Sequence, residues 1–206
     1  MQKTIPYEIH ITVSEVNNQK FIESCKRLNV KPIILELQKK NKTLKDVMTS
    51  SVYMGDDISV FSEMKRIKQG LIDDGLNVIR EKVETVPWHI KAPSKENNNF
   101  MMPKNSYFET HLAVEIRTQT DEKLLQLFCN KENLHLSKNY FKKTKKGHVI
   151  MATYRSYDTY REKFVSKSEK FKKDLENLKL SVDKLIVEFA MFDTNVTHDN
   201  EWLMDS

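Results

Sequence analysis

The chain predicts an α+β protein made of two tandem βαββαβ units, and three observations carry that prediction. A heptad recurs: Tyr7-Glu8-Ile9-His10-Ile11-Thr12-Val13 returns as Phe108-Glu109-Thr110-His111-Leu112-Ala113-Val114. Both copies read aromatic, Glu, variable, His, aliphatic, small, Val. The segments after each copy then follow in the same order. Between the copies, Pro87, Pro93, Pro103 and Asn97-Asn98-Asn99 interrupt regular structure. Strand, helix, strand, strand, helix, strand is the order of a ferredoxin-like unit, whose sheet carries helices on one face only. A length of 206 residues accommodates two such units, and packing one on the other relieves the marginal stability of so small a core. The expected division is a first half over 1–90, a linker over 91–104 with the boundary near Asn99, and a second half over 105–206 ending in a C-terminal extension. A pseudo-twofold axis relates the halves.

Each element has its own signal. In the first strand alternation puts Glu8, His10 and Thr12 on one face and Tyr7, Ile9, Ile11 and Val13 on the other; Glu109 and His111 repeat the polar face in the second half. A helical stretch ending in a cysteine follows, Phe21 to Cys25 and Leu124 to Cys129. Next come the apolar run Val30 to Leu37 and its weaker counterpart Leu134 to Ser137, both read as strands. Val47 to Ser51 and Val149 to Tyr154 supply the third strands. Amphipathic helices are expected over Ser59 to Asp74 and Tyr160 to Leu178, and closing strands over Asn77 to Glu84 and Leu185 to Phe192.

Composition narrows the setting. With 39% apolar and 31% charged residues the chain reads as globular, and no stretch approaches the roughly 20 apolar residues of a membrane span. The start Met-Gln-Lys-Thr-Ile-Pro lacks an apolar signal region, so a cytoplasmic setting is expected. The two cysteines, Cys25 and Cys129, sit at matching helix positions in separate halves and read as buried apolar thiols. The +5 charge is concentrated in the runs Lys39-Lys40-Asn41-Lys42, Lys142 to Lys146 and Lys170 to Lys173. Such runs are either solvated loop tips or a surface that tolerates polyanions. No Walker loop, GxGxxG, zinc-finger spacing or RNP motif occurs, which argues against ATP-driven chemistry and a dinucleotide cofactor. Oligomeric state is not legible.

His10 in His-Ile-Thr-Val and His111 in His-Leu-Ala-Val occupy equivalent places in the two halves. The paired arrangement resembles the two-histidine phosphoesterases, bilobal duplicated proteins in which one His-x-Thr or His-x-Ser motif from each lobe faces a shared cleft. That resemblance implies a metal-independent phosphodiesterase acting on a nucleotide or RNA end, with one imidazole as base and the other as acid. The near-neutral pKa of histidine suits both roles. Thr12, Thr49 and Arg155 are the candidate phosphate contacts. Ala113 departs from the family pattern, because it stands where a second hydroxyl would be.

Three readings of the paired Glu-x-His strands stay open. The polar faces pack together and Glu8, His10, Glu109 and His111 form a satisfied network across the pseudo-twofold axis. Alternatively, His10 and His111 flank a water-filled catalytic cleft. In a variant of that reading Glu8, His10, Glu109 and His111 hold a divalent metal, since two imidazoles and two carboxylates make an acceptable ligand set. In the third, the faces bind a nucleotide, RNA or protein without turnover. Trp88 in Pro87-Trp88-His89 is expected to be buried and to pin the linker. His135 and His148 read as surface or strand-end residues. In the C-terminal segment, Asp193, His198 and Asp199 join a site only if the chain folds back, with Trp202 as anchor.

Overall fold

A computed structural model of the chain describes residues 4–14, 17–39, 42–143 and 148–198. The strands and helices follow the predicted order twice. In the first half these are β1 (Ile5–Val13), α1 (Asn18–Leu28), β2 (Lys31–Lys39), β3 (Lys42–Gly55), α2 (Asp57–Asp73) and β4 (Val78–Thr85). The second half has β5 (Tyr107–Ile116), α3 (Gln119–Glu132), β6 (His135–Lys143), β7 (His148–Ser156), α4 (Arg161–Asn177) and β8 (Ser181–Asp193).

Within each half the strand order is that of a ferredoxin-like sheet, β4-β1-β3-β2 and β8-β5-β7-β6, with every pair antiparallel. The two sheets join edge to edge at both sides, β2 with β6 and β4 with β8, and close an eight-stranded barrel. Closure removes the sheet edges that would otherwise be open to pairing. It also decides what happens to the two polar faces. They do not press flat on one another; they line the inside of one barrel.

The apolar faces point outward to the helices. Tyr7, Ile9, Ile11 and Val13 of β1 pack with Phe21, Cys25 and Leu28 of α1 and with Val60, Met64, Ile67 and Leu71 of α2. In the second half Leu112, Val114 and Ile116 meet Leu125, Phe128 and Cys129 of α3 and Phe171 and Leu175 of α4. A third cluster of Ala92, Phe108, Phe164 and Phe189 fills the junction beneath the linker. Burial pushes both thiols up to about 12, as expected for cysteines that serve as small apolar groups.

The helix ends explain their positions. Asn17 caps α1 by accepting from the amides of Gln19 and Lys20, and Asp56 and Thr118 close capping boxes on α2 and α3 with Ser59 and Asp121. The duplication extends to irregularities. Asn29 and Asn133 take left-handed backbone after α1 and α3, and Gly75 and Lys179 do so after α2 and α4. A β-bulge lies between Thr12 and Val13 against β4, and another between Ala113 and Val114 against β8.

The segment 86–106 is ordered by what it touches. His89 is buried, lies edge-on to Tyr7 and stacked on Phe189, and pairs with Asp57 at 3.1 Å. Trp88, expected to be the pin, is 66% exposed. The imidazole fits the junction because Nε2 meets Asp57 while Nδ1 accepts the Lys91 amide, and an indole, with one donor and no acceptor, could not do both.

Candidate functional site in the barrel interior

Glu8 pairs across the ladder with Glu84 of β4, and Glu109 pairs with Glu188 of β8. Because paired residues in antiparallel strands share a face, each half sends the same trio inward: Glu8, His10 and Glu84 from the first, Glu109, His111 and Glu188 from the second. The trios converge. Ligand atoms of Glu84, His111 and Glu188 all lie within 4.8 Å of one another, and His10 Nε2 is 3.1 Å from Glu84 Oε2 and 3.5 Å from Glu8 Oε1. His111 Nε2 stands 3.4 Å from Glu109 Oε2 and 3.6 Å from Glu188 Oε2. Glu84 therefore sits between the two histidines brought in by the repeated heptad.

Both imidazoles are fixed by their other nitrogen. His10 Nδ1 lies 3.1 Å from the carbonyl oxygen of Thr49, which can only accept, so Nδ1 carries the proton. His111 Nδ1 lies 2.9 Å from Thr153 Oγ1 on the equivalent strand. The ladder explains the first contact. Between the pairs Ile9↔Ser51 and Thr12↔Met48 the regular β1–β3 bonding is interrupted, and the Thr49 hydroxyl accepts the Ile11 amide instead. Thr49 is thus on the helix side, fully buried and used by the ladder, while Thr12 and Arg155 are on the interior side.

Two cations thread the carboxylates. Lys82 Nζ donates to Glu109 Oε2 at 2.5 Å and lies 2.7 Å from Glu84 Oε1; Arg155 pairs with Glu109 Oε1 and lies over the Tyr107 ring, 4.9 Å from its centroid. Lys82 is the only group within ion-pair distance of Glu84 Oε1 among the contacts of the described residues, and that oxygen is buried. Farther along β4, Arg80 forms a two-pronged pair with Asp193, and the Tyr107 hydroxyl donates to the same carboxylate at 2.8 Å. Asp193 thereby joins the halves, and His198, 3.2 Å from Asp46, returns the C-terminal segment to the first half. Asp199 and Trp202 lie outside the described residues, as do Lys40 and the 144–147 tip of the lysine-rich hairpin.

The electrostatics follow from burial and these contacts. Burial opposes charging of both histidines, but Glu84 and Glu8 outweigh it for His10, and Glu109 and Glu188 for His111, so both pKa values rise above the ordinary imidazole value. Lys82 is held far above its usual range, against burial, by Glu109 and Glu84. Burial raises Glu109 too, yet Arg155 and Lys82 hold it well below the carboxylate range. Glu188 goes the other way. Burial first, then the charge of Glu84, pushes it up to about 7. Glu84 goes down despite burial, because Lys82 and then His10 favour its charged form.

Among the candidates read from sequence, His10, His111, Glu8 and Glu109 come together in one interior. Lys82, Glu84 and Glu188 were missed as site residues. Their signal was present: Arg80, Lys82 and Glu84 share one face of β4 by period-two spacing, and Glu188 interrupts the apolar run Val187 to Ala190 in β8. Recognising it required knowing that the sheets close into a barrel. His135 and His148 begin β6 and β7, at strand ends as read. Among the described residues no helix is long and apolar enough to cross a membrane.

No family model matches the chain, and no curated protein matches it. Among solved structures, the acetolactate synthase small subunit from Thermotoga maritima is 13% identical, with 90% of this chain and 94% of that one covered and a TM-score of 0.31. A siroheme decarboxylase bound to an iron-uroporphyrin III analogue is 8% identical over 93% of this chain and 76% of that one, also with a TM-score of 0.31. At these scores neither likeness bears on what the chain does.

Proposed function

We propose that the barrel interior binds a divalent cation through Glu84, His111 and Glu188, and that this ion is what the site presents to an anionic ligand such as the phosphodiester of a nucleotide or RNA end. The observation that carries the reading is the donor geometry: one imidazole nitrogen and two carboxylate oxygens within 4.8 Å of one another. The imidazole is fixed at Nδ1 by Thr153, which leaves Nε2 to coordinate, the arrangement usual for a metal-bound histidine. Two carboxylates and an imidazole suit Mn²⁺, Zn²⁺ or Fe²⁺ better than a soft metal.

The acid–base reading of His10 and His111 has less support. Each imidazole faces two carboxylates, an arrangement that favours imidazolium on both and leaves neither as the neutral base that an acid–base pair requires. A cation held there would supply the electrophile instead, polarising the phosphoryl oxygen and an incoming water. In the reaction this permits, the water oxygen bonds to phosphorus, the P–O ester bond breaks, and a water proton leaves with the alcohol.

Calorimetric titration of chelator-treated protein with Mn²⁺ and Zn²⁺ tests the binding. Saturable uptake by the wild type, weakened more than about tenfold by Glu188→Gln, is expected; equal uptake by both proteins overturns the site. Metal-stimulated hydrolysis of bis(4-nitrophenyl) phosphate tests the ligand class, and absence of turnover with the ion bound overturns that part alone.

A further inference from the structure

Among the described residues, the two ends of the barrel interior differ. Toward the C-terminal end of β1 the inward residues are Thr12, Asp46, Arg80, Tyr107 and Asp193, all buried. The Arg80–Asp193 pair and the Tyr107 hydroxyl cross this end from β4 to β8 and β5. His198, 3.2 Å from Asp46, brings the C-terminal segment onto the same end. At the start of β1 the interior is open to solvent. There Val52 pairs with Glu8 and Met54 with Pro6, so both share the inward face, yet they are 69% and 56% exposed. Lys31 and Lys184, set on the same face by their partners Ser50 and Ala113, are exposed too. Along β1, side-chain exposure rises from His10 to Glu8 in this direction. Ile186 lies opposite His111, and Met151 opposite Ala113, one step nearer the mouth; both stay half-buried, outside the helix-side clusters.

From this asymmetry we infer that the ligand of the cation site is the free end of a single-stranded RNA. It enters past Val52 and Met54 and stops at the floor formed by Arg80, Asp193 and Tyr107. The inference rests on the cation site proposed above and narrows its ligand. A pocket with one mouth admits a terminus, whereas a strand without ends would have to double back inside it. An eight-stranded barrel leaves room for side chains or for one small ligand, so a duplex does not fit either. Lys31 and Lys184 at the rim supply the charge that complements the phosphates remaining outside. Val52, Met54, Ile186 and Met151 offer apolar surface to the last base.

Fluorescence anisotropy of Mn²⁺-loaded full-length protein with one labelled single-stranded oligoribonucleotide, linear or circularised, tests the inference, while calorimetry follows Mn²⁺ uptake in parallel. The linear strand is expected to bind at least about tenfold more tightly than the circle. It should bind about tenfold more weakly to Lys184→Glu, a substitution at an exposed position that leaves the buried contacts of the barrel in place. Equal binding of the two strands, or wild-type binding of the linear strand by Lys184→Glu, overturns entry by this mouth. Binding of neither strand with Mn²⁺ taken up overturns the inference and leaves the cation site standing. No Mn²⁺ uptake overturns the cation site and this inference with it.

Discussion

Glu8 and Glu109 occupy the same position of the repeated heptad, the same face of equivalent strands and the same distance in sequence from a histidine, yet they do different work. Glu109 is fully buried and ion-paired with Lys82 and Arg155. Glu8 is one-third exposed and hydrogen-bonded by a serine hydroxyl. Lys82 belongs to β4 of the first half, so the Glu109 contact ties the halves together beside the β4–β8 seam, as Arg80 with Asp193 does farther along. One copy of the motif has been drawn into the structure, and the other still faces the interior. Duplication supplies symmetric donors; unequal neighbours assign them unequal roles.

The largest expected effect breaks this difference. Glu109→Gln leaves Lys82 and Arg155 without their buried carboxylate, and urea denaturation should show a loss of about 3–5 kcal/mol. Glu8→Gln should cost less than about 1 kcal/mol, as exposed ionic contacts do. Equal losses at the two positions would contradict the division of labour.

Next comes the seam. Burial raises the Asp193 carboxyl, but Arg80 lowers it further than burial raises it, so its folded pKa lies below the ordinary carboxylate value. A lowered folded pKa means stability that is present above the unfolded value of about 3.9 and is lost as pH falls through the folded one. Asp193→Asn should cost about 3 kcal/mol at pH 7 by removing the buried charge that faces Arg80 and should flatten the acid limb of the stability profile. An unchanged acid limb would remove Asp193 from the seam.

The smallest effect concerns the helix ends. Gly75 and Lys179 share left-handed backbone, with φ of 71° and 65°, a conformation costing a side-chain-bearing residue about 1 kcal/mol. Lys179→Gly should therefore stabilise the second half by up to about 1 kcal/mol, readable as a rise in Tm, and Gly75→Lys should lose a similar amount in the first. A fall in Tm with Lys179→Gly would show that the lysine side chain outweighs the backbone strain.

Much of the fold was legible because period-two alternation and repeated order are local signals. The heptads located β1 and β5, and the closing strands were placed within a few residues of where they lie. The weak strand expected over Leu134 to Ser137 runs to Lys143, since its pairing with β2 and β7 is a tertiary contact that its own lysines and asparagine do not announce. The site was legible in part. Glu-x-His named four of the interior residues, but Glu84 and Glu188 become ligand candidates only when β4 and β8 lie beside β1 and β5, and Lys82 reaches Glu109 only because the halves close into one barrel. Trp88 was misjudged because burial follows from where the linker lands, and His89 lands in the junction first.

The central claim is that a cation belongs inside the barrel, and anomalous diffraction from Mn²⁺-soaked crystals tests it most directly. An anomalous peak bounded by Glu84 and Glu188 and within coordination distance of His111 Nε2, about 2.0–2.3 Å, is the predicted result. Peaks confined to carboxylates on the outer surface, with none in the barrel interior, would contradict it.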